Sequence, residues 1–134
     1  MNDQPLAGKS ILVLEDEFLI AMDVEQLCRD CGAGEVSIVR SLEEADRADC
    51  HATIDVAILD VMLGDRSTFD FARTLIEKGV PFLFTTGYSD PETLAAQFPG
   101  VEVVNKPYAG PDLIRALLDT LARQTGQPVV DPVT

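Results

Sequence analysis

The chain has 134 residues, of which 46% are hydrophobic and 25% charged, and its formal net charge at pH 7 is −13. This length and composition predict one globular domain with a buried core. The acidic excess argues against nucleic-acid binding, which needs clustered lysines and arginines. No apolar run approaches a membrane span, and MNDQPLAGKS lacks the pattern of a secretion signal, so we expect a cytoplasmic protein.

The first half of the chain predicts three strands and two helices. Apolar runs rich in branched residues indicate strands at 10–15 (SILVLE), 35–40 (EVSIVR) and 53–60 (TIDVAILD). A helix from Phe18 to Cys31, ended by Gly32, is predicted because apolar residues recur there at helical spacing. The segment SLEE (41–44) matches a capping box and predicts a second helix that runs to about Cys50.

The second half begins with a polar, glycine-containing loop, LGDRST, after the third strand. A helix is predicted from about Thr68 to Lys78, followed by a strand at 81–86 (PFLFTT). Asp90 is expected to cap a short helix whose first residue is Pro91. A fifth strand at 101–105 (VEVVN) and a last helix opened by Pro111 complete the series.

The predicted elements form one continuous series without a linker or an internal repeat. Alternating strands and helices indicate a parallel sheet with helices on both faces, and hence an α/β domain at 1–126. The tail at 127–134, QPVVDPVT, is interpreted as a loose end, with docking on the body as the alternative. In such folds ligands bind beyond the carboxyl ends of the strands.

The three cysteines indicate no disulfide framework. Their number is odd and no secretion signal accompanies them, which favours a reducing compartment. Cys28 and Cys31 form a CxxC pair, but a zinc site would lack ligands because His51 is the single histidine. Both cysteines fall on the apolar face of the first predicted helix, so core packing is favoured over redox or metal chemistry.

Side chains capable of chemistry stand at the ends of successive predicted strands. They are Glu15, Asp16 and Glu17 after the first strand, Asp60 after the third, Thr85 and Thr86 after the fourth, and Lys106 after the fifth. Clustered carboxylates repel one another unless a hard cation is present, and Mg²⁺ prefers oxygen ligands. A carboxylate such as Asp60 can attack a phosphoryl group, whose oxygens a cation, a hydroxyl and an ammonium can stabilise.

Each of these features also has a simpler interpretation. Acids after a strand can favour the start of the next helix, and Asp60 can begin a turn. The threonine hydroxyls can satisfy backbone groups, and Lys106 can be a solvated loop cation. The joint occurrence of all these residue types at successive strand ends favours the chemical interpretation.

The motifs ILVLEDE, VAILDVML, PFLFTTGY and NKPY occur in an order and spacing that resemble the receiver domain of two-component response regulators. The resemblance covers residues 9–124. It implies a flavodoxin-like (βα)5 fold, a doubly wound five-stranded parallel sheet with strand order 2-1-3-4-5. PFLFTTGY further resembles a bacterial subgroup with a Phe-x-Thr-Gly-Tyr strand end, often found as stand-alone receivers.

The resemblance also implies roles for individual residues. Asp60 would be the phosphoacceptor. Mg²⁺ would be bound by Asp16, Asp60 and the main-chain carbonyl of Met62, with Glu15 reaching it through water. Thr86 would be the switch hydroxyl, with Thr85 as the alternative if the register is shifted by one residue, and Lys106 would pair with a phosphoryl oxygen. The Lys106-Pro107 bond is expected to be cis.

Some positions depart from the family pattern. Val103 stands where many receivers carry an aromatic switch residue, and Tyr88 or Phe84 is a candidate replacement, although packing is the simpler role for both. Glu15 replaces a common aspartate. Arg66 follows Asp60 in the loop and is interpreted as a solvated charge, with steering of a partner as the alternative.

The favoured function is a stoichiometric phosphoacceptor, not an enzyme, with slow self-dephosphorylation. A sensor histidine kinase would be the phosphodonor, and about ten residues after Arg123 leave no room for an output domain. Output would therefore pass through contacts with a downstream protein, or the chain would act as a phosphate sink, as a monomer or weak dimer.

Two other functions fit the predicted fold. A Mg²⁺-dependent phosphohydrolase with an aspartyl-phosphate intermediate usually carries an acid two positions after its nucleophile, where this chain has Met62. A flavin- or nucleotide-binding protein would need a phosphate-binding loop after the first strand, where Glu15, Asp16 and Glu17 would repel phosphate instead.

Overall fold

Residues 4–47, 53–87 and 91–124 are described in the computed structural model, and these ranges contain seven strands and five helices. The strands are β1 (Ser10–Leu14), β2 (Glu35–Val39), β3 (Val56–Asp60), β4 (Met62–Leu63), β5 (Arg66–Ser67), β6 (Phe82–Thr86) and β7 (Val103–Asn105). The helices are α1 (Phe18–Asp30), α2 (Leu42–Arg47), α3 (Phe69–Lys78), α4 (Pro91–Gln97) and α5 (Gly110–Gln124).

Five of the strands form a parallel sheet in the order β2-β1-β3-β6-β7. Since β4 and β5 belong to a separate hairpin, this order is the predicted 2-1-3-4-5, and the α/β prediction is confirmed. The register pairs Leu14 with Leu59 and Asp60 with Thr85. The carboxyl ends of β1, β3 and β6 therefore meet at one edge of the sheet.

The sheet is covered on both faces, which explains its continuously apolar central strands. One core cluster joins the sheet to Val24 and Cys28 of α1 and to Leu113 and Leu117 of α5. The other core cluster joins it to α2, α3 and α4. All five residues of β3 and all five of β6 are buried, as expected for inner strands of a parallel sheet.

The loop predicted after Asp60 contains an antiparallel hairpin instead. Met62 pairs with Ser67 and Leu63 with Arg66, and Gly64 takes a φ of 64° in the two-residue turn. A glycine at the first central position permits the positive φ of a tight hairpin turn. The segment is too short for the alternation that signals a strand in a sequence, so the loop prediction was wrong here.

Helix ends agree closely with the sequence patterns. The backbone N–H of Glu44 donates to Ser41 Oγ (3.1 Å), as a capping box requires, but Glu44 Oε1 accepts from the N–H of Arg40 (3.0 Å) rather than that of Ser41. α5 begins one residue before Pro111, at Gly110.

Some predictions fall on residues outside the described ranges. They concern the helix end at Cys50, the Asp90 cap, His51, Tyr88 and the tail at 127–134.

None of the described helices is long and apolar enough to cross a membrane.

The CxxC pair lies partly in the core, as predicted. Cys28 is fully buried and Cys31 half-buried, and both are free thiols. Burial raises the pKa of the Cys28 thiol to about 12 and also raises the pKa of Cys31. A redox-active cysteine needs a lowered pKa, since the thiolate is the nucleophile. The environment of Cys28 is therefore that of a packing residue.

We expect Cys28 to resist alkylation by iodoacetamide at pH 8 in the folded protein. A pKa raised to about 12 keeps the thiol protonated at that pH, and burial denies the reagent access. Peptide mass spectrometry should show Cys28 modified only after denaturation in urea. Rapid modification of Cys28 in the folded protein would contradict its assignment to the core.

Candidate metal and phosphoacceptor site

Three carboxylates meet at the carboxyl edge of the sheet. Glu15 and Asp16 follow β1, and Asp60 is the last residue of β3, next to β1 in the sheet. One oxygen from each of the three lies within 4.8 Å of the others. Glu15 and Asp60 are buried, and Asp16 is half-buried. This spacing allows one hard cation to lie among the three acids and bind each of them directly or through water.

Lys106 reaches the same cluster from the connection between β7 and α5. Its Nζ lies 2.8 Å from Asp60 Oδ2 and 2.9 Å from Glu15 Oε1, with Glu17 Oε2 further away at 4.0 Å. The Lys106-Pro107 peptide is cis, as the resemblance implied. The backbone N–H of Lys106 donates to Thr86 O (2.8 Å), which fixes the start of this connection against β6.

The charges in the cluster depend on one another. Burial raises the pKa of Glu15 despite hydrogen bonds from Lys106 and from the N–H of Glu17 that act in the opposite direction. Burial also disfavours the ammonium of Lys106, but its hydrogen bonds with Asp60 and Glu15 outweigh this and raise its pKa above the ordinary value. Lys106 is therefore a fixed positive charge at neutral pH.

Asp16 is held by one backbone group and by one side chain. The N–H of Gly64, in the hairpin turn, donates to Asp16 Oδ2 (2.8 Å). Arg40 Nη2 donates to the main-chain oxygen of Asp16 (3.3 Å), and the Arg40 guanidinium lies 5.7 Å from the centre of the Phe18 ring. The hairpin that follows Asp60 thus also contacts the acid that follows β1.

The two candidate switch threonines are both buried at the end of β6. Thr85 is opposite Asp60 in the sheet register, and its O accepts a hydrogen bond from the N–H of Val61 (2.9 Å). Thr86 lies one residue closer to the sheet edge, opposite Asn105 and next to Lys106 through the backbone hydrogen bond.

Phe84 and Val103, two of the positions discussed as departures from the family pattern, differ in burial. Phe84 is fully buried and its ring packs edge-on against Phe69, Phe82 and Phe98, with centroids 5.8, 5.5 and 5.1 Å away. This places Phe84 in the core, which is the simpler of its two interpretations. Val103, its neighbour in the sheet, is half-buried.

Arg66 and Met62 lie on the surface of the hairpin. Arg66 Nη1 lies 3.3 Å from Glu43 Oε2, and both side chains are exposed. Such a pair contributes little to stability, which agrees with the interpretation of Arg66 as a solvated charge. The Met62 side chain is 39% exposed and stands two residues after Asp60.

Two residues near the site were not singled out from the sequence. Thr68 is fully buried and its Oγ1 donates to Asp60 O (2.7 Å), whereas a threonine before a helix is ordinarily interpreted as a cap of that helix. Tyr108 follows the cis peptide, and burial, followed by the charge of Glu15, raises its pKa to about 12. Its place after Lys106-Pro107 is the one signal that could have identified it.

The donor set fits a hard divalent cation. Three carboxylate oxygens lie within 4.8 Å of one another, and carboxylate oxygens are ligands that Mg²⁺ prefers. Because the protein supplies only a few ligands, other coordination positions of the cation are left for waters or a phosphoryl oxygen. The Lys106 ammonium lies beside these acids, and Thr85 and Thr86 are buried at the end of the neighbouring strand β6. Together these groups can hold a phosphoryl group on Asp60.

Comparisons with known proteins agree with this chemistry. The family "Response regulator receiver domain" matches residues 11–118. A search of curated proteins gives no significant match.

Many solved structures share the fold. A response regulator receiver protein from Sinorhizobium medicae is 24% identical over 87% of this chain and 97% of that chain, with a TM-score of 0.77. A receiver domain protein from Clostridium thermocellum is 28% identical over 87% and 97%, with a TM-score of 0.74. A mutant of the anti-anti-sigma factor PhyR from Bartonella quintana is 25% identical, with a TM-score of 0.77, over 93% of this chain but 53% of that chain.

The family match spans most of the chain, and the two solved receivers match its fold over 87% of its length. The chain belongs to the response regulator receiver domain family.

Proposed function

We propose that Asp60 accepts a phosphoryl group from the phosphohistidine of a sensor kinase, in a reaction that needs Mg²⁺. The observation that carries this proposal is the position of the Asp60 carboxylate. It clusters with the carboxylates of Glu15 and Asp16, and the Lys106 ammonium lies 2.8 Å from its Oδ2. A carboxylate in that position can attack phosphorus while positive charge stabilises the phosphoryl oxygens.

The transfer needs a nucleophile and a bound cation, and different residues would supply them. An Asp60 oxygen forms a bond to phosphorus, the N–P bond of the donor breaks, and the histidine nitrogen keeps the electron pair and takes a proton from water. Asp16, Asp60 and the Met62 carbonyl would hold Mg²⁺ directly, and Glu15 would hold it through water. When bound, Mg²⁺ supplies positive charge to the phosphoryl oxygens.

Lys106 would exchange its partner during the reaction. In the structure its Nζ pairs with Asp60 and Glu15. Once Asp60 carries the phosphoryl group, the ammonium can pair with a phosphoryl oxygen, which is more negatively charged than the remaining carbonyl oxygen of Asp60. The Thr86 hydroxyl would donate a hydrogen bond to another of these oxygens, and this contact would shift the population of conformations at the β6 edge.

We expect Thr86→Ala to slow phosphorylation by acetyl phosphate at least about tenfold, because one donor to the developing phosphoryl charge is lost. Thr85→Ala should have the smaller effect. Thr85 is opposite Asp60 in the sheet register, whereas a phosphoryl group on Asp60 would lie beyond the sheet edge, closer to Thr86. Rate constants measured at saturating Mg²⁺ test this pair. A larger loss in Thr85→Ala would assign the switch hydroxyl to Thr85 instead.

An exposed apolar surface on α1 lies beside the site and suits a protein donor. Phe18, Leu19 and Met22 are 57%, 75% and 50% exposed. Apolar side chains grouped on a surface are typical of protein–protein contact. We place the kinase on this surface, because Phe18 is two residues from Asp16. The signal would then leave through contacts with a downstream protein, or the receiver would act as a phosphate sink.

The direct experiment is phosphotransfer from purified sensor kinases labelled with radioactive ATP. A cognate kinase should lose its label to this chain within seconds to minutes, and Leu19→Glu should slow the transfer without slowing phosphorylation by acetyl phosphate. A phosphohydrolase would instead turn over a phosphate ester many times. Repeated turnover that depends on Asp60 would replace the receiver proposal, and a single stoichiometric phosphorylation supports it.

A further inference from the structure

Thr68 makes contacts that its position before α3 does not require. Its side chain is fully buried and makes no capping hydrogen bond to the helix. Oγ1 instead reaches back eight residues to donate to Asp60 O (2.7 Å), and it lies 3.3 Å from Val61 O. The Thr68 hydroxyl therefore bonds a distant carbonyl instead of capping the nearby N–H groups of the helix. Such a buried bond is kept only while the two segments stay in this arrangement.

The backbone of Thr68 extends the same connection. Its N–H donates to Val61 O (2.9 Å), and its O accepts from the N–H of Ala72 (2.9 Å) in the first turn of α3. One residue thus holds the carbonyls of both Asp60 and Val61 and joins them to the helix. On the opposite side, the N–H of Val61 donates to Thr85 O (2.9 Å).

These contacts surround the peptide that carries the phosphoacceptor. The end of β3 is fixed by β6 through Val61 and by α3 through Thr68. The Asp60 carboxylate must at the same time stay within reach of Glu15, Asp16 and Lys106. Since the direction of a side chain follows the backbone that carries it, a loss of the Thr68 hydroxyl would loosen the carboxylate relative to its partners.

We propose that Thr68 is a positioning residue for phosphoryl acceptance: its buried hydroxyl fixes the Asp60–Val61 backbone, and thereby the phosphoacceptor carboxylate and the cation ligands. This inference rests on the proposed function for its effect on the reaction. Its effect on the backbone and on cation binding can be measured without any phosphoryl transfer.

The test compares Thr68→Val, which removes the hydroxyl at nearly constant shape, with Thr68→Ser, which keeps it. Thr120→Val is the matched control, because Thr120 is also buried and its Oγ1 donates to a main-chain oxygen, Ala116 O at 2.8 Å, within α5. The free energy of unfolding in urea measures what each change costs in stability. Thr68→Ala substitutes for the valine variant if the latter does not fold.

Thr68→Val should lower the rate constant for phosphorylation by acetyl phosphate about tenfold or more and weaken Mg²⁺ binding severalfold. Its Val61 amide should exchange with solvent about tenfold faster, while the Phe84 amide at the centre of β6 keeps the protection that global stability sets. Thr68→Ser should restore all three quantities. Thr120→Val should lose similar stability and leave them unchanged.

A purely structural role for Thr68 gives a different result. Thr68→Val would then lose stability to the extent of Thr120→Val yet keep the wild-type rate constant, Mg²⁺ affinity and Val61 exchange, and that result overturns the inference. If the wild-type protein is not phosphorylated at all, the proposed function fails. Normal Val61 exchange and Mg²⁺ affinity in Thr68→Val would overturn the positioning role separately.

Discussion

Asp60→Asn is expected to abolish phosphorylation by acetyl phosphate in the presence of Mg²⁺. The amide is nearly isosteric but is a poor nucleophile toward phosphorus, and it removes one negative charge from the cation ligands. The fold should survive, because an amide oxygen can still accept the hydrogen bond from Lys106 Nζ. Phosphate-affinity electrophoresis or intact-mass spectrometry measures the result.

Asp65→Asn provides a matched control for that substitution. Asp65 is an exposed acid in the hairpin turn five residues further along the chain, and it is not one of the three clustered carboxylates. The Asp65→Asn variant should be phosphorylated as fast as the wild-type protein. Stoichiometric phosphorylation of Asp60→Asn would show that another residue accepts the group and would remove the basis of the proposed function.

Lys106→Met is expected to lower the free energy of unfolding at pH 7 by about 3 kcal/mol, since breaking a buried ion pair leaves charges without a partner. The side chains of Glu15 and Asp60 are only 3% and 10% exposed, and both pair with this ammonium. Lys78→Met removes an exposed lysine at the end of α3 and should cost much less. Urea denaturation of the three proteins measures the difference.

The pH dependence of Lys106→Met follows from the direction of the pKa shifts. Burial already raises the pKa of Glu15, and removal of the ammonium should raise it further. A carboxyl whose folded pKa is raised contributes stability below its unfolded value of 4.5, and this contribution is lost as the pH rises through the folded pKa. The pKa of Lys106 is also raised on folding, so its ammonium contributes its full stabilisation at any pH below the unfolded value of 10.5.

The stability gap between the wild-type protein and Lys106→Met should therefore be widest near neutral pH and should narrow as the pH falls toward 4.5. Mg²⁺ should stabilise the variant more than the wild-type protein, because a bound cation replaces the missing positive charge. A gap that is constant from acid to neutral pH, and indifferent to Mg²⁺, would mean that Lys106 acts through packing rather than charge.

The sheet and the acidic cluster could be predicted because they follow from local patterns and one general rule. The alternation of short apolar runs with helical periods predicted the parallel sheet, and the common edge of parallel strands predicted that Asp16, Asp60 and Lys106 would meet. Lys106 and Glu15 are 91 residues apart in sequence, yet both stand at strand ends, which is why the sequence predicted them at the same edge of the sheet.

Features that depend on tertiary contacts or on register could not be predicted in the same way. The hydrogen bond from Thr68 to Asp60 O competes with an ordinary helix cap, and nothing in the sequence favours the distant acceptor. The hairpin around Gly64 is stabilised in part by Asp16, from a different strand end. Thr85 and Thr86 are adjacent, so a one-residue uncertainty in register exchanges their roles.

The most direct test of the account identifies the residue that carries the phosphoryl group. The protein is incubated with acetyl phosphate and Mg²⁺, the acyl phosphate is reduced with borohydride, and the modified residue is located by peptide mass spectrometry. We predict homoserine at position 60 alone, formed only when Mg²⁺ is present. Modification at another position, or equal modification of Asp60 in the presence of EDTA, would contradict the account.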